Sequence, residues 1–328
     1  MAPELIQILE SVLASPEDGS PLSFQRDAAG QPTGLTDGRG RVWPLVDGVV
    51  DFVGSDNYAS NFGDQWSRFP KLQLDSFNGS TISHDRFWGA TKLKPEGLAG
   101  KIVLDVGCGT GRFAEIALAA GAYVIALDYS KAARVAASNL RQSERVFCLQ
   151  ADVYRLPFRP GSFDLVYCLG VLQHTPDVEK AFKSLVPVTK AGGDICVDYY
   201  WKRLRSMLGW KYPIRLVTSR MDEGAVYRLL QRVHPVLYGL SDLLAKTPVV
   251  GKHLARFVPV VNYRNDHGEI GDEMLKAWSL LDTYDHWAPK YDQPQTTNTV
   301  TRWARESGLV AIETEHVGHL VLRAKRPA

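Results

Sequence analysis

Apolar residues gather into short runs over Lys101–Gly107, Tyr123–Asp128, Val146–Asp152, Phe163–Leu169 and Asp194–Tyr200. Runs of that length, bounded by turn residues, read as strands buried on both faces of a parallel sheet. Between them, Arg112–Ala120, Lys131–Arg141 and Val178–Thr189 carry apolar positions at helical spacing. Strand alternating with helix predicts an α/β fold built on a doubly wound, Rossmann-like sheet. After residue 200 the alternation stops. Residues 201–290 are mostly helical in pattern, interrupted by Pro213, Pro235, Pro248 and Pro259, and a helix over Thr299–Ser307 follows. Two last strands, Val310–Val317 and His319–Lys325, are joined by Gly318 alone. They must be antiparallel, because parallel neighbours need a crossover of about a dozen residues.

Ahead of the core, an amphipathic start (Leu5, Ile8, Leu9, Val12) leads through Gly/Pro turns into a strand over Val42–Val53 around Asp47-Gly48. Residues 55–100 are rich in aromatics (Tyr58, Phe62, Trp66, Phe69, Phe77, Phe87, Trp88) without a clean period, which suits a cavity wall or a packed linker. The expected organisation is a small β unit over 1–54, a linker over 55–100, a core made of 101–200 and 291–328, and a helical insertion over 201–290.

Composition narrows the class without naming it. The 328 residues are 45% hydrophobic and 23% charged, as in an ordinary soluble globular protein. A net charge of +2 demands no polyelectrolyte partner. The opening MAPELIQILE has two acids and no basic stretch, unlike a secretory signal, so a cytoplasmic location is expected. The four cysteines (Cys108, Cys148, Cys168, Cys196) are at least 20 positions apart, leaving no C-x-x-C pair, and they read as small buried hydrophobes.

Candidate chemistry concentrates where the first core strand meets the first core helix, at Asp105-Val106-Gly107-Cys108-Gly109-Thr110-Gly111. Glycine at alternate positions lets backbone pass tightly under a ligand, where a Cβ would collide. The dinucleotide fingerprint G-x-G-x-x-G fails, since position 112 is Arg. The pattern D-x-G-x-G-x-G resembles the first motif of class I S-adenosylmethionine-dependent methyltransferases. Further signals follow in order: Asp128 lies 21 residues after Gly107, Asp152 ends the third strand, and Leu156-Pro157-Phe158, Phe163-Asp164-Leu165-Val166, Val171-Leu172-Gln173-His174 and Ala191-Gly192-Gly193 succeed it. The resemblance implies a seven-stranded sheet with a terminal antiparallel strand and S-adenosylmethionine as methyl donor, S-adenosylhomocysteine being the product. It assigns the donor to Asp105, Gly107, Cys108, Gly109, Gly111 and Leu169, with Asp128 and Tyr129 at the ribose and Asp152 and Val153 at the adenine. The competing reading makes Asp105 a helix cap and Asp128 a plain strand end.

Residues 1–54 resemble the small zinc ribbon that precedes some bacterial methyltransferases. Its frame persists in Ser15-Pro16-Glu17-Asp18, in Thr36 to Arg41, in Trp43-Pro44 and in Asp47-Gly48, but its four ligand positions are Ser15, Asp18, Thr36 and Arg39. Structural zinc takes thiolate or imidazole, and a guanidinium repels a cation, so a ribbon shape without zinc is expected.

Charge is unevenly placed. Residues 201–264 hold 12 Lys/Arg against Asp222, Glu223 and Asp242, a balance of +9 that leaves −7 for the rest of the chain. This basic insertion reads as a lid that attracts an anionic acceptor, as a peripheral membrane contact through a cluster of Trp201, Leu204, Met207, Leu208 and Trp210, or as a plainly solvated face. The segment Asp282–Asp292 resembles one in methyltransferases of bacterial glycan and natural-product pathways.

An alcohol acceptor must lose a proton, so a base helps. His174, just after the fourth strand, is the first candidate, against a packing role at a helix start; His286 and then His267 are the alternatives. Asp282, Tyr284 and Tyr200 are candidate acceptor contacts. The N/D-P-P-aromatic run of adenine methylation is missing after the fourth strand, which disfavours nucleic acid. No metal-ligand constellation is legible, though a divalent ion on scattered carboxylates stays open. The expected activity is O-methylation of a hydroxyl on a saccharide-type or other small acceptor. Carbon methylation of a quinone or polyketide, or a non-methylating cofactor-binding role, are the alternatives, and a homodimer is left open.

Overall fold

The computed structural model describes residues 2–54, 66, 68–203, 209–247, 251–255, 257–267 and 270–328, and for Glu223, Lys252 and His253 the backbone alone. Tyr58 and Phe62, and Leu204, Met207 and Leu208 of the expected apolar cluster, lie outside these residues. The chain divides into two units, one of residues 1–70, 81–201 and 293–328, the other of residues 71–80 and 202–292.

The first unit is built on one sheet. Its strands are β1 (Ser23–Arg26), β2 (Pro32–Thr36), β3 (Val42–Val46), β4 (Val49–Asp51), β5 (Ile102–Val106), β6 (Tyr123–Asp128), β7 (Val146–Gln150), β8 (Phe163–Cys168), β9 (Thr189–Tyr199), β10 (Val310–Val317) and β11 (His319–Lys325). They lie in the order β1-β2-β3-β4-β7-β6-β5-β8-β9-β11-β10. Strands β7, β6, β5, β8 and β9 are mutually parallel, and β11 is antiparallel to both β9 and β10. The seven strands from β7 to β10 are the expected Rossmann-like sheet, and the Gly318 hairpin falls where it was predicted.

Side chains along the central strands alternate between two buried layers, as the two-residue strand period requires. Leu104, Val106, Ile125, Leu127, Val166 and Val197 face a layer completed by α1 (Pro3–Val12), α6 (Val178–Val188) and α12 (Thr297–Glu306). Val103, Val124, Ala126, Leu165, Tyr167 and Cys196 face the layer of α3 (Ile82–Thr91), α4 (Arg112–Ala119) and α5 (Ala132–Leu140). Asp177 starts α6 by accepting the Lys180 amide at 3.0 Å, a side-chain N-cap. All four cysteines are buried and unpaired by disulfide. Burial pushes the Cys148 thiol up to about 12.

Two expectations about the first hundred residues are corrected. The predicted single strand over Val42–Val53 is a hairpin, because Asp47 and Gly48 both take positive φ (53° and 78°), the geometry of a tight two-residue turn. The head is also not a separate domain. Strand β4 pairs in parallel with β7, Val50 against Leu149, and Leu5 and Leu9 of α1 are buried in the main core. Fully apolar Val49 and Val50 extend the sheet, where an independent ribbon would have shown polar residues outward. The aromatic linker is likewise partly core: Phe87 is buried, edge-on to Tyr167 with ring centroids 5.2 Å apart.

At the four ribbon positions the head carries an ionic and hydrogen-bonded clasp. Arg39 bridges to Asp18 at 3.4 Å, joining two of them directly. Arg41 reaches Asp18 and Asp37 at 2.5 Å each and also pairs with Glu17. Ser20 donates both its amide and its hydroxyl to Asp18, and the Gly38 amide donates to Thr36 Oγ1 at 3.2 Å. These bonds hold the Asp18 carboxyl well below the usual carboxylate range.

The second unit is helical: α2 (Asp75–Asn78), α7 (Lys211–Thr218), α8 (Glu223–Ala245), α9 (Gly251–Ala255), α10 (Arg264–His267) and α11 (Asp272–Trp287). Its interior is formed by Val226, Tyr227, Leu230 and Tyr238 of α8 with Leu275, Trp278, Leu281, Tyr284 and Trp287 of α11. Buried His234 approaches Ser279 Oγ at 2.9 Å, and Ser279 donates onward to the Val261 carbonyl. Burial lowers the His234 pKa to about 4, so the imidazole is neutral near pH 7. No helix among the described residues is long and apolar enough to cross a membrane.

Because the Asp18 carboxyl is depressed in the folded state, its contribution is present above the ordinary carboxylate pKa and is lost as pH falls below it. Asp18→Asn should lower the melting temperature at neutral pH, and the deficit relative to wild type should shrink below about pH 4. Thermal unfolding across pH checks this; equal melting temperatures at pH 7 would refute the clasp.

Candidate functional site

The candidate site sits at the carboxyl ends of the parallel strands, where open α/β sheets hold ligands. Strand β5 delivers Asp105 into the turn 107–111. Three glycines there have positive φ: Gly107 (77°), Gly109 (54°) and Gly111 (90°). The Gly107 and Cys108 amides both donate to the Leu127 carbonyl, at 2.7 and 3.0 Å, which fastens the turn to the end of β6. A Cβ on Gly107 would lie 2.4 Å from Val171 Cγ2, so this glycine admits the loop after β8. A Cβ on Gly109 would lie 3.4–3.6 Å from the Trp66 indole. The glycines thus make room for protein neighbours.

Asp128 ends β6 as predicted. Its carboxylate accepts the Gly109 amide at 3.0 Å, the Ser130 amide at 2.8 Å and the Ser130 hydroxyl at 2.7 Å. It therefore ties the glycine turn to its own strand end, a role beyond the expected ribose contact. Burial raises its pKa while these donors oppose the shift. Asp105 is buried too, and burial with Asp128 nearby pushes it up to about 8. Among the described residues its Oδ2 finds no hydrogen-bond partner. A buried carboxyl at this turn can ionise against the amine of a cationic cofactor, whereas a pyrophosphate would set further negative charge beside it.

Asp152 starts the short 3-10 turn Val153–Arg155 by accepting the Tyr154 amide at 2.9 Å. Val153 and Leu169 are buried, and the Tyr129 carbonyl accepts Gln150 at 3.2 Å. All ten predicted cofactor residues thus lie in one unit, at the carboxyl ends of β5, β6, β7 and β8 or on the turns that follow them.

His174 closes the 3-10 turn Leu172–His174 after β8, its amide donating to the Val171 carbonyl at 2.9 Å. Its ring stands edge-on to Tyr200, centroids 5.4 Å apart, and Tyr200 stacks on His319 at 5.8 Å. Trp201 stacks on His316 at 3.6 Å. The first base candidate and Tyr200 are therefore brought together. The other predicted residues lie in the helical unit. Asp282 accepts from Tyr263 and, at 3.4 Å, from Gln73. Tyr284 is buried edge-on to Tyr227 at 5.4 Å. His286 faces Trp210 with ring centroids 5.8 Å apart, and Asp292 accepts Lys211 at 2.9 Å.

The residues that sequence reasoning missed form one group. Buried Asp198 on β9 accepts Arg86 of α3 at 2.7 Å and the Gly170 amide at 2.5 Å. Arg86 and His319 nearby hold its pKa down despite burial. A carboxylate inside the apolar run Ile195–Tyr199 was the available signal. Arg86 had none, since α3 carries no clear apolar stripe.

Residues 104–197 match a family described as "Methyltransferase domain". The chain is 41% identical over 137 residues to a ubiquinone biosynthesis O-methyltransferase from Ralstonia nicotianae, covering 40% of this chain and 58% of that protein. It is 33% identical over 144 residues to a demethylmenaquinone methyltransferase from Thermobifida fusca, covering 42% and 61%. The chain spans about three-fifths of the length of the curated relatives it matches. Among solved structures, a putative S-adenosylmethionine-dependent methyltransferase from Methanococcus maripaludis aligns over 84% of this chain and 96% of its own, with TM-score 0.46 and 14% identity.

Gly107→Ala would strain a left-handed position and drive a methyl into Val171. It should weaken S-adenosylmethionine binding by about tenfold or more, since each 1.4 kcal/mol is tenfold and the backbone strain alone is ~1–2 kcal/mol; calorimetric titration checks this. Asp105, raised in the folded state, stabilises the ligand-free protein below its unfolded pKa, and that contribution is lost as pH rises toward about 8. Asp105→Asn should flatten this decline in denaturant titrations at pH 5 to 8.

Proposed function

We propose that the chain, whose residues 104–197 match a methyltransferase-domain family, methylates a ring hydroxyl of a small acceptor from S-adenosylmethionine, with His174 as base. The observation that carries this reading is the grouping of His174, Tyr200 and His319 at the carboxyl ends of β8 and β9, one loop from the glycine turn. S-adenosylmethionine supplies an activated methyl on a sulfonium whose departure needs no acid. The chain's residues then have two tasks. The glycine turn, Asp105 and Asp128 hold and align the donor, which is where most of the acceleration of such a displacement originates. His174 takes the hydroxyl proton as the oxygen–methyl bond forms and the sulfur–methyl bond breaks, leaving methyl ether and S-adenosylhomocysteine.

Between a saccharide and a phenolic hydroxyl, the chemistry of the base supports the phenol. A phenol ionises near pH ~10, whereas an alcohol sits closer to water, at about 15.7. Imidazole is matched far better to the first. The flat rings of Tyr200 and Trp201 suit a planar acceptor, and the Ralstonia relative's name specifies oxygen methylation in ubiquinone biosynthesis.

The test is methyl transfer from labelled S-adenosylmethionine to a dihydroxybenzoate and to a free hexose, with products located by mass spectrometry. Ether formation on the aromatic oxygen supports the reading. Label on carbon assigns the chain to carbon methylation, label on the hexose restores the saccharide, and cofactor binding without any transfer overturns an enzymatic role. His174→Ala should lower kcat about 10²–10⁴-fold while cofactor affinity changes little. Its rate should recover toward pH ~10, as the phenol ionises unaided; a packing role for His174 would show no such recovery.

A further inference from the structure

Helix α8 has apolar residues on two opposite sides. Val226, Tyr227, Leu230, His234, Tyr238 and Ser241 form the stripe that faces the interior of the helical unit. On the other side Leu229, Val236, Leu240 and Leu243 recur at steps of seven, four and three residues and stand in solvent, Val236 at 73% and Leu243 at 66% exposure. From Leu229 to Leu243 the outer stripe covers about 21 Å of helix. Arg228 and Arg232 are exposed within its first turns. Helix α9 begins against the end of α8, where a Cβ on Gly251 would lie 1.9 Å from the Leu244 carbonyl oxygen, and it continues the exposure with Leu254 and, just beyond it, Phe257 at 80%. A helix on the surface of a soluble unit ordinarily turns its polar side outward. A contiguous apolar patch left outside marks an interaction surface.

We propose that the outer face of α8 with α9 docks on an anionic lipid surface. Charge selects this occupant over a second copy of the chain. Arg228 and Arg232 flank the exposed stripe, so pairing two such faces would bring like charges together, whereas an anionic leaflet attracts them. Apolar side chains flanked by arginines are the composition of a helix lying in the plane of a membrane interface. This inference is independent of which acceptor the core methylates.

The test uses the full chain in sedimentation with vesicles of equal parts phosphatidylglycerol and phosphatidylcholine, and with vesicles of phosphatidylcholine alone. Wild type should partition onto the anionic vesicles about tenfold more strongly, and high salt should reduce the difference by screening. Val236→Glu with Leu240→Glu should abolish partitioning, with helical circular dichroism and S-adenosylmethionine affinity unchanged, since both side chains point to solvent. Arg228→Gln with Arg232→Gln should erase the preference for anionic lipid, and it serves if the first variant folds poorly. Equal partitioning on both vesicles, or none on either, overturns the proposal. So does a concentration-dependent dimer that Val236→Glu dissociates, which would assign the face to a second copy.

Discussion

The bond from the Gly109 amide to the Asp128 carboxylate is the constraint on which the site depends. It joins the turn after β5 to the end of β6, so the position of the cofactor cradle is set by the register of two parallel strands. The twin donations of Gly107 and Cys108 to the Leu127 carbonyl lock the same turn a second time. Each of these bonds requires glycine backbone angles, because the turn passes through left-handed conformations at three of five positions. The shape of this turn is therefore an outcome of sheet geometry.

A second chain of contacts joins the cradle to the neighbourhood of the proposed base. Val171 fills the space over Gly107, the Gly170 amide is held by Asp198, and Asp198 is held by Arg86. The loop after β8 thus has one end against the donor turn and the other against β9, where Tyr200 meets His174. Alignment across the two halves of a displacement reaction asks for this kind of rigid linkage, since small misplacements cost large factors in rate.

Much of this was legible in the chain before its structure. The parallel strands were visible because burial on both faces makes them continuous apolar runs, and the glycine turn because left-handed backbone leaves a compositional mark. The limits have physical causes. Asp47-Gly48 was read within a strand, yet positive φ at both residues makes a hairpin. The head was read as a separate unit because its frame resembles a free-standing ribbon, and strand pairing between β4 and β7 is a long-range choice that no local pattern encodes. Arg86 and Asp198 are 112 positions apart and signal only as a pair. The helical unit gave a charge balance but not a surface, because which side of α8 faces water depends on packing against α11.

The way β4 joins β7 has a consequence for the edge of the sheet. A sheet ending at β7 would present a row of unpaired backbone donors and acceptors beside apolar Phe147 and Leu149, a template for indiscriminate strand pairing. The head occupies that row and ends the sheet on β1, a strand of four residues with polar, mostly exposed side chains. Whatever ancestry its ribbon frame reflects, the segment now works as a guard against aggregation. A protein shorn of it would retain every residue of the glycine cradle and still be poorly soluble.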